Sequence, residues 1–398
     1  MKEFKTIAWN TLSGWAEKVL TILALIIITP TLISYFGKAQ YGIWILVGQG
    51  AGLLILLDIG IANSISRFLS RNIALGDTDS STGILSTAMA AFAAASVLVL
   101  IVTLALAPRI PGLFNVDGSL ADVTSLVFIL SGVNVALILP LRIGRGLLQA
   151  KNRYDVISGC TALANTARVF LVWIIFGHGY GDLVWLAGIT LFLGVTLELV
   201  LTVTGWKIHR PARLRLKAVS WSHLKDLLSL GGSAFVQSTS AVIYRRLQIV
   251  AVGLFAGVAA TPIFSIPSMI LNNLGPFVNR LGATLTPLAS GMDAKKEWER
   301  LRQMNIIGAR YGLLVGTAIC VFLIFFAEDL LSLWLQSRDM IAADITRMAR
   351  VTVFMAVPFL LAAPQMASRT MLSATGRHWT VALNYLQAAL GGLILTAG

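Results

Sequence analysis

Arginines inside apolar segments are the residues of this sequence whose type and position could do chemistry. Five of them lie in long apolar runs: Arg168, Arg245, Arg246, Arg280 and Arg310. An ionised side chain near the centre of a bilayer costs about 2.5–3.5 kcal/mol even on lenient scales, so such residues usually face a protein interior or a watery cavity. A guanidinium group binds phosphate through two parallel hydrogen bonds. The pattern therefore predicts a cationic cavity for an anionic substrate.

Polar side chains recur near these arginines at spacings that place them on one face of a helix. The first apolar run carries Asn10, Gly14, Glu17 and Thr21. The fifth run carries Ser158, Thr161, Asn165 and Arg168. The residues predicted to line the cavity beside the arginines are Asn10, Asn165, Gln248 and Asn273.

Two carboxylates, Glu17 and Asp58, are candidates for titration in an ion-coupled cycle. The alternative for Glu17 is that it only neutralises an arginine inside the protein. The alternative for Arg280 and Arg310 is that their long side chains reach the cytoplasmic membrane interface.

Arg245 and Arg246 are adjacent, so they point in directions about 100° apart on a helix. Only one of them can continue the polar face that carries Gln248. The other is expected to pair with a carboxylate or a backbone carbonyl and to take no part in transport.

Composition identifies the class of protein. The chain is 57% hydrophobic and 12% charged, with a net charge of +13. A soluble domain carries about twice that charged fraction. We therefore expect a polytopic α-helical membrane protein whose positive charge belongs to its loops, with no nucleic acid as a partner. Cys160 and Cys320 lie in apolar runs and are interpreted as small core residues, and the sequence contains no metal-site or nucleotide-loop spacing, so no cofactor is expected.

About eleven apolar runs are close to the ~20 residues that cross a bilayer as a helix. They cover about 9–33, 42–66, 84–107, 123–141, 156–176, 183–205, 228–255, 262–288, 305–326, 346–366 and 379–397. Starting inside, one side of the membrane receives about 21 lysines and arginines and the other about 5, which predicts a cytoplasmic N-terminus.

A short motif occurs in both halves of the chain. Residues 145–153 align with 369–377, and a proline precedes each copy by five positions. The matched pairs are Arg145 with Arg369, Leu148 with Leu372, Ala150 with Ala374 and Arg153 with Arg377. Such self-similarity is typical of transporters built from repeats. The repeat predicts six helices in each half, so the sequence is interpreted as a fragment that lacks the twelfth.

The longest break between apolar runs joins the halves and divides the chain into three parts. We predict an N-terminal bundle over 1–205, a basic cytoplasmic linker over 206–227, and five helices of a C-terminal bundle over 228–398. Six lysines and arginines in the linker indicate contact with anionic phospholipids, or alternatively a charge signal that only orients the chain.

The N-terminal half resembles a known family. The resemblance is carried by Thr29-Pro30, the segment 36–44 (FGKAQYGIW), Leu57-Asp58-Ile59-Gly60-Ile61, Arg67-Phe68-Leu69-Ser70 and Gly76-Asp77. The chain is similar to polysaccharide-biosynthesis membrane proteins, the O-antigen (Wzx-type) flippases. Their superfamily also contains the multidrug and toxic-compound extrusion antiporters.

This resemblance implies the fold and the function. The fold is all-α, with two six-helix bundles around a central cavity in a bacterial inner membrane. The function is transfer of an undecaprenyl-pyrophosphate-linked oligosaccharide between leaflets by alternating access, without enzymatic chemistry. A polysaccharide polymerase complex is a further implied partner.

Two alternatives remain at this point. A drug or cation antiporter of the same superfamily would use Glu17 and Asp58, although the excess of arginine disfavours a cationic substrate. A membrane-embedded polysaccharide polymerase or ligase would need a large outer loop rich in arginine and histidine, which the sequence lacks.

Overall fold

A computed structural model describes residues 2–58, 61–208, 214–335 and 340–397. Within these ranges the chain is helical and contains no β-strand. The helices are α1 (Lys2–Leu53), α2 (Ile61–Leu75), α3 (Thr78–Leu106), α4 (Ile110–Leu113), α5 (Gly118–Leu141), α6 (Ile143–Ala150), α7 (Tyr154–Gly177), α8 (Leu183–Ile208), α9 (Trp221–Ala256), α10 (Thr261–Ala294), α11 (Trp298–Leu335), α12 (Ala342–Ala362), α13 (Gln365–Ala374) and α14 (His378–Ala397).

The predicted all-α membrane architecture is confirmed. Among the described residues, eight helical segments are long and apolar enough to cross a membrane. The number is lower than the eleven predicted runs partly because the first run and most of the second fall in one helical segment, Trp9–Asp58. A short 3₁₀ turn, Leu54–Asp58, ends this segment. The protein is therefore a multi-pass membrane protein.

The repeated motif adopts the same backbone structure in both copies. Each copy ends in a tight turn, in which the amide of Arg153 donates to Leu148 O (2.9 Å) and the amide of Arg377 donates to Leu372 O (2.8 Å). The residue before each arginine has a positive φ, 54° at Asn152 and 75° at Gly376. Equivalent residues thus end α6 and α13 in the same way, as a structural repeat requires.

A second repeat is visible only in the backbone. Gly37 interrupts α1 with φ 70° and ψ 175°, and Gly257 follows α9 with φ 84° and ψ 170°. Only glycine adopts this region without strain. The turns at Gly76 and Lys296 also match, since Asp77 N donates to Asn72 O and Glu297 N donates to Met292 O, both at 2.9 Å.

The chain packs into two compact units. Unit 1 consists of residues 1–36 and 46–242, and its core includes Ile65, Leu85, Leu139 and Leu147 from α2, α3, α5 and α6. Part of the predicted linker 206–227 belongs to this unit, because the carbonyl of Leu227 accepts a hydrogen bond from Ser64 Oγ (2.7 Å).

Unit 2 consists of residues 37–45 and 243–398. Its core contains Val278, Ala363 and Met366. The nine-residue segment 37–45 is attached to this unit although both of its flanks belong to unit 1. A Cβ added at Gly42 would lie 1.9 Å from Val258 O, so the segment approaches the backbone after Gly257 without room for a side chain. The chain therefore passes into unit 2 and back before its first quarter is complete.

Close packing of α6 on α8 gives a stability prediction. A Cβ at Gly144 would lie 2.3 Å from the Cα of Thr202, so Gly144→Ala must push the two helices apart. Overpacking of this kind costs about 1–3 kcal/mol. The matched control is Gly188→Ala on α8, where a Cβ meets nothing within 4 Å. In mixed detergent micelles, the free energy of unfolding should fall for Gly144→Ala and stay at the wild-type value for Gly188→Ala. Equal stability of the two variants would contradict the close packing of α6 on α8.

Candidate functional site

Helices α1 and α7 of unit 1 are joined by polar contacts along one seam, which begins at Asn10. The Asn10 side chain donates to Asn152 O (2.8 Å) and accepts from the amide of Asp155 (3.0 Å). It therefore satisfies one of the free amides at the start of α7. Next to it, the hydrogen bond from Arg153 Nε to Asp155 (2.9 Å) raises the pKa of Arg153.

The seam continues towards the middle of the membrane span. Asn165 Nδ2 donates to Thr21 Oγ1 (2.9 Å), and this hydroxyl lies 2.9 Å from the carbonyl of Glu17 and 3.3 Å from its Oε1. The contacts of Asn10 with Asp155 and of Thr21 with Asn165 span 145 and 144 positions. The two helices therefore run parallel in constant register, and the two polar faces predicted from sequence meet each other.

Arg168 lies one turn beyond Asn165 on the same face of α7. At 1.5 Å per residue it is about 21 Å from Tyr154 at the start of the helix and about 14 Å from Gly177 at its end. Its Nε is buried, and among the described residues the side chain has no hydrogen bond or ion pair. The register of the seam places the small, buried Ala24 of α1 opposite it. Arg168 thus lies at mid-depth of its helix without an anionic partner among the described residues.

This arrangement can bind an anion. A buried guanidinium group without partners carries the desolvation cost of its charge, and an anion that reaches it would recover that cost through charge-assisted hydrogen bonds. Glu17 does not serve as its partner in this structure, since the contact found for the Glu17 carboxylate is with Thr21. The seam therefore holds α7 in place and leaves Arg168 available.

Four predicted residues fall in the first part of unit 2. On α9, Arg245 is exposed whereas Arg246 is half-buried and has an interaction within the protein. The two arginines therefore differ in environment, as their rotation about the helix predicted. Gln248 is half-buried. Asn273 donates to Met269 O on its own helix (2.9 Å).

The other two predicted arginines of unit 2 belong to α10 and α11. The backbone of Arg280 is helical, and its side chain is outside the described residues. Arg310 is exposed on α11. Their assignment to substrate binding stays a prediction.

Asp58, the second predicted coupling carboxylate, is buried and forms an ion pair with Arg142. A similar pair lies nearby in unit 1, where Arg145 Nε donates to Glu198 Oε1 (2.6 Å). Sequence reasoning missed Glu198, although a single acid in the long apolar helix α8 was a sufficient signal. Arg145 is the first residue of the repeated motif, and Arg142 precedes it by three positions. The start of the motif therefore supplies the cations that pair with two buried carboxylates.

The structure offers no cluster of metal ligands within the described residues, since no three His, Cys, Asp or Glu side chains come together there. The two cysteines are free; Cys320 is buried and donates to Ala356 O (3.2 Å). This contact agrees with the interpretation of Cys320 as a small core residue, whereas Cys160 is only half-buried.

Comparison with known proteins identifies a family that matches the chain. The model of a family described as polysaccharide biosynthesis protein matches residues 55–338, well over half of the chain. A search of curated proteins returned no match to the sequence.

Several solved structures share the fold. A multidrug resistance MATE family transporter of the MOP superfamily, in an inward-facing conformation, aligns over 96% of this chain and 94% of its own, with a TM-score of 0.69 and 15% identity. An outward-facing structure aligns over 96% and 84%, with a TM-score of 0.66 and 15% identity. A MOP superfamily transporter from Pyrococcus furiosus, described by the reverse polarity of its binding pocket, aligns over 96% and 94%, with a TM-score of 0.50 and 16% identity. At these identities the likeness concerns the fold.

Proposed function

The chain belongs to the polysaccharide biosynthesis protein family, and on that premise we propose that it is a lipid-linked oligosaccharide flippase. It would carry undecaprenyl-pyrophosphate-linked repeat units from the inner to the outer leaflet of a bacterial cytoplasmic membrane. The protein would expose the bound pyrophosphate alternately to the two sides. The proposed activity is transport, in which no covalent bond of the substrate changes.

The observation that carries this proposal is Arg168. A pyrophosphate brings several acceptor oxygens and negative charge, which are what this guanidinium group lacks among the described residues. Each hydrogen bond to a charged group contributes about 1.5–3 kcal/mol. The parallel seam of α1 and α7 supports the binding role because it fixes the helix that carries Arg168.

The alternative is a drug or cation antiporter, which the MATE fold favours. Such a protein needs a carboxylate that faces its cationic substrate, and Glu17 is the candidate. Arg168 opposes this function, because a guanidinium group that has no ion pair among the described residues would repel a cation on the same seam. For the Pyrococcus furiosus transporter, the reverse polarity of the binding pocket suggests a different function, and a cationic side chain at Arg168 is a difference of the same kind.

Binding of the lipid-linked substrate to variants of Arg168 tests the proposal. We expect Arg168→Ala to weaken binding by about 10- to 100-fold, the equivalent of one lost charge-assisted hydrogen bond. Arg168→Lys should recover part of the affinity, because it keeps the charge but not the planar fork. Arg71→Ala, which removes an exposed arginine of α2, is the matched control. If all variants bound the substrate with equal affinity, Arg168 would not be part of the binding site.

Thermal stability without ligand separates a binding role from a structural one. Because Arg168 has no partner among the described residues, Arg168→Ala should be as stable as the wild-type protein or more stable. The stabilisation that the lipid-linked oligosaccharide gives should disappear at the same time. A variant that melts well below the wild type before any ligand is added would indicate that Arg168 supports the fold instead.

A further inference from the structure

A groove runs along helices α10 and α11 of unit 2. Its volume is about 450 Å³, and its lining includes Leu285 and Met292 from α10 and Arg300, Gln303, Ile307 and Tyr311 from α11. Small-molecule sites typically have about 300–1,000 Å³, so the groove is large enough for part of a lipid. The proposed function does not use any of these residues.

The polarity of the groove changes along its length. Arg300 and Gln303 lie in the first turns of α11, beside the turn that carries Lys295 and Lys296. Tyr311 lies about 17 Å farther along the helix axis. Between these ends the lining is mainly apolar, with Leu285, Met304 and Ile307. One end is therefore polar and cationic, and the rest resembles the interior of a bilayer.

The Arg300 guanidinium at the mouth can exchange its partner. Arg300 donates to Glu297 (3.0 Å), and its side chain in this pair is 71% exposed. Exposed pairs of this kind contribute only about 0–1 kcal/mol, so a phosphate can replace the carboxylate. Arg310 lies about 15 Å from Arg300 along the helix axis, next to Tyr311, so it does not belong to the cationic mouth. The floor is tight, because a Cβ at Gly308 would lie 3.0 Å from both Leu285 and Ala367.

We propose that this groove binds one anionic phospholipid from the membrane leaflet on the side of the basic loops. An acyl chain lies along Leu285 and Ile307, and the phosphate accepts hydrogen bonds from Arg300 in place of Glu297. The gradient from a cationic mouth to an apolar floor matches the gradient from headgroup to hydrocarbon in such a lipid. The site is independent of Arg168 and of the substrate assigned to it.

The test is lipid binding to the purified protein, measured by native mass spectrometry and by thermal stabilisation in detergent. The probes are phosphatidylglycerol, phosphatidylcholine, undecaprenyl phosphate and inorganic phosphate. We expect phosphatidylglycerol to bind and stabilise most strongly. Arg300→Gln should lose about tenfold or more of this affinity. Arg302→Gln is the control, since Arg302 is two positions from Arg300 and faces another direction on the helix.

Each other outcome overturns the proposal. Equal binding of phosphatidylcholine would remove the role of charge, and an equal effect of inorganic phosphate would remove the role of the acyl chain. Binding of undecaprenyl phosphate without phosphatidylglycerol would assign the groove to the lipid carrier. Loss of affinity in Arg302→Gln as large as in Arg300→Gln would show a diffuse surface effect and no site in the groove.

Discussion

Arg145→Ala is expected to lower the free energy of unfolding by about 3–5 kcal/mol, the usual cost of breaking a buried ion pair by removing one partner. Arg145 donates to Glu198 Oε1, and the Glu198 side chain is only 7% exposed. The other oxygen of Glu198 is buried without a hydrogen-bond partner among the described residues. Without Arg145, the carboxylate must stay charged without compensation or take up a proton.

The equivalent arginine of the second repeat is the matched control. Arg369 donates to the hydroxyl of Tyr385 (3.0 Å), and its guanidinium carbon lies 5.0 Å from the centre of that ring. No buried charge depends on this contact, so Arg369→Ala should cost about 1–2 kcal/mol. Unfolding in mixed detergent micelles compares the two variants. If both variants lost the same free energy of unfolding, the arginine would have the same structural role in both repeats, contrary to this account.

A double variant tests whether the instability of Arg145→Ala comes from the uncompensated charge of Glu198. Arg145→Met with Glu198→Leu removes both charges, and replacing a buried pair by apolar residues is often neutral or stabilising. The double variant should therefore be more stable than Arg145→Ala by about 3 kcal/mol or more. If it is as unstable as the single variant, packing of α6 is the cause and not the buried charge.

Lys38→Ala is expected to cost about 3–5 kcal/mol, the usual cost of breaking a buried ion pair by removing one partner. Lys38 Nζ lies 2.5 Å from Asp344 Oδ2, and the Asp344 side chain is 4% exposed. The pair fastens the segment 37–45 to α12 within unit 2. Its loss should leave a buried carboxylate and loosen the segment at the same time.

Hydrogen exchange of the segment's amides measures this second effect directly. We expect the amides of 38–45 to exchange faster in Lys38→Ala than in the wild type, while those of α6 in unit 1 keep their rates. Arg302→Ala is the control, since its pair with Glu299 spans 3.8 Å and both side chains are at least 70% exposed. Unchanged exchange in the segment would mean that packing around Gly42 holds it without the ion pair.

The sequence was sufficient to predict the parts of the fold that depend on local pattern. Long apolar runs predicted the membrane helices, and the motif around Arg145 and Arg369 predicted a repeat that the turns at Asn152 and Gly376 confirm. The matching break at Gly37 and Gly257 was missed, because the two segments share a backbone conformation and hardly any side chains. Helical spacing likewise could not predict that the short segment after Gly37 packs in the other unit.

The sequence could predict the polar face of each helix in the candidate site, but not how the helices pack together. Periodicity placed Glu17 and Thr21 on one face of a helix and Asn165 and Arg168 on a face of another, but it could not predict that the helices run parallel in register. The sequence also could not predict the partner of Asp58, since Arg142 follows it by 84 positions. Pairing across such separations depends on tertiary packing, which hydrophobic patterns do not encode.

Transfer of a lipid-linked oligosaccharide in proteoliposomes tests the central claim most directly. The purified protein would be reconstituted with a short undecaprenyl-pyrophosphate oligosaccharide, and exposure of the sugar on the opposite leaflet would be measured, with Arg168→Ala alongside. The account predicts transfer by the wild type and a loss of about tenfold or more in the variant. Absence of transfer together with uptake of a cationic dye driven by a proton gradient would contradict the account and assign the protein to the antiporters.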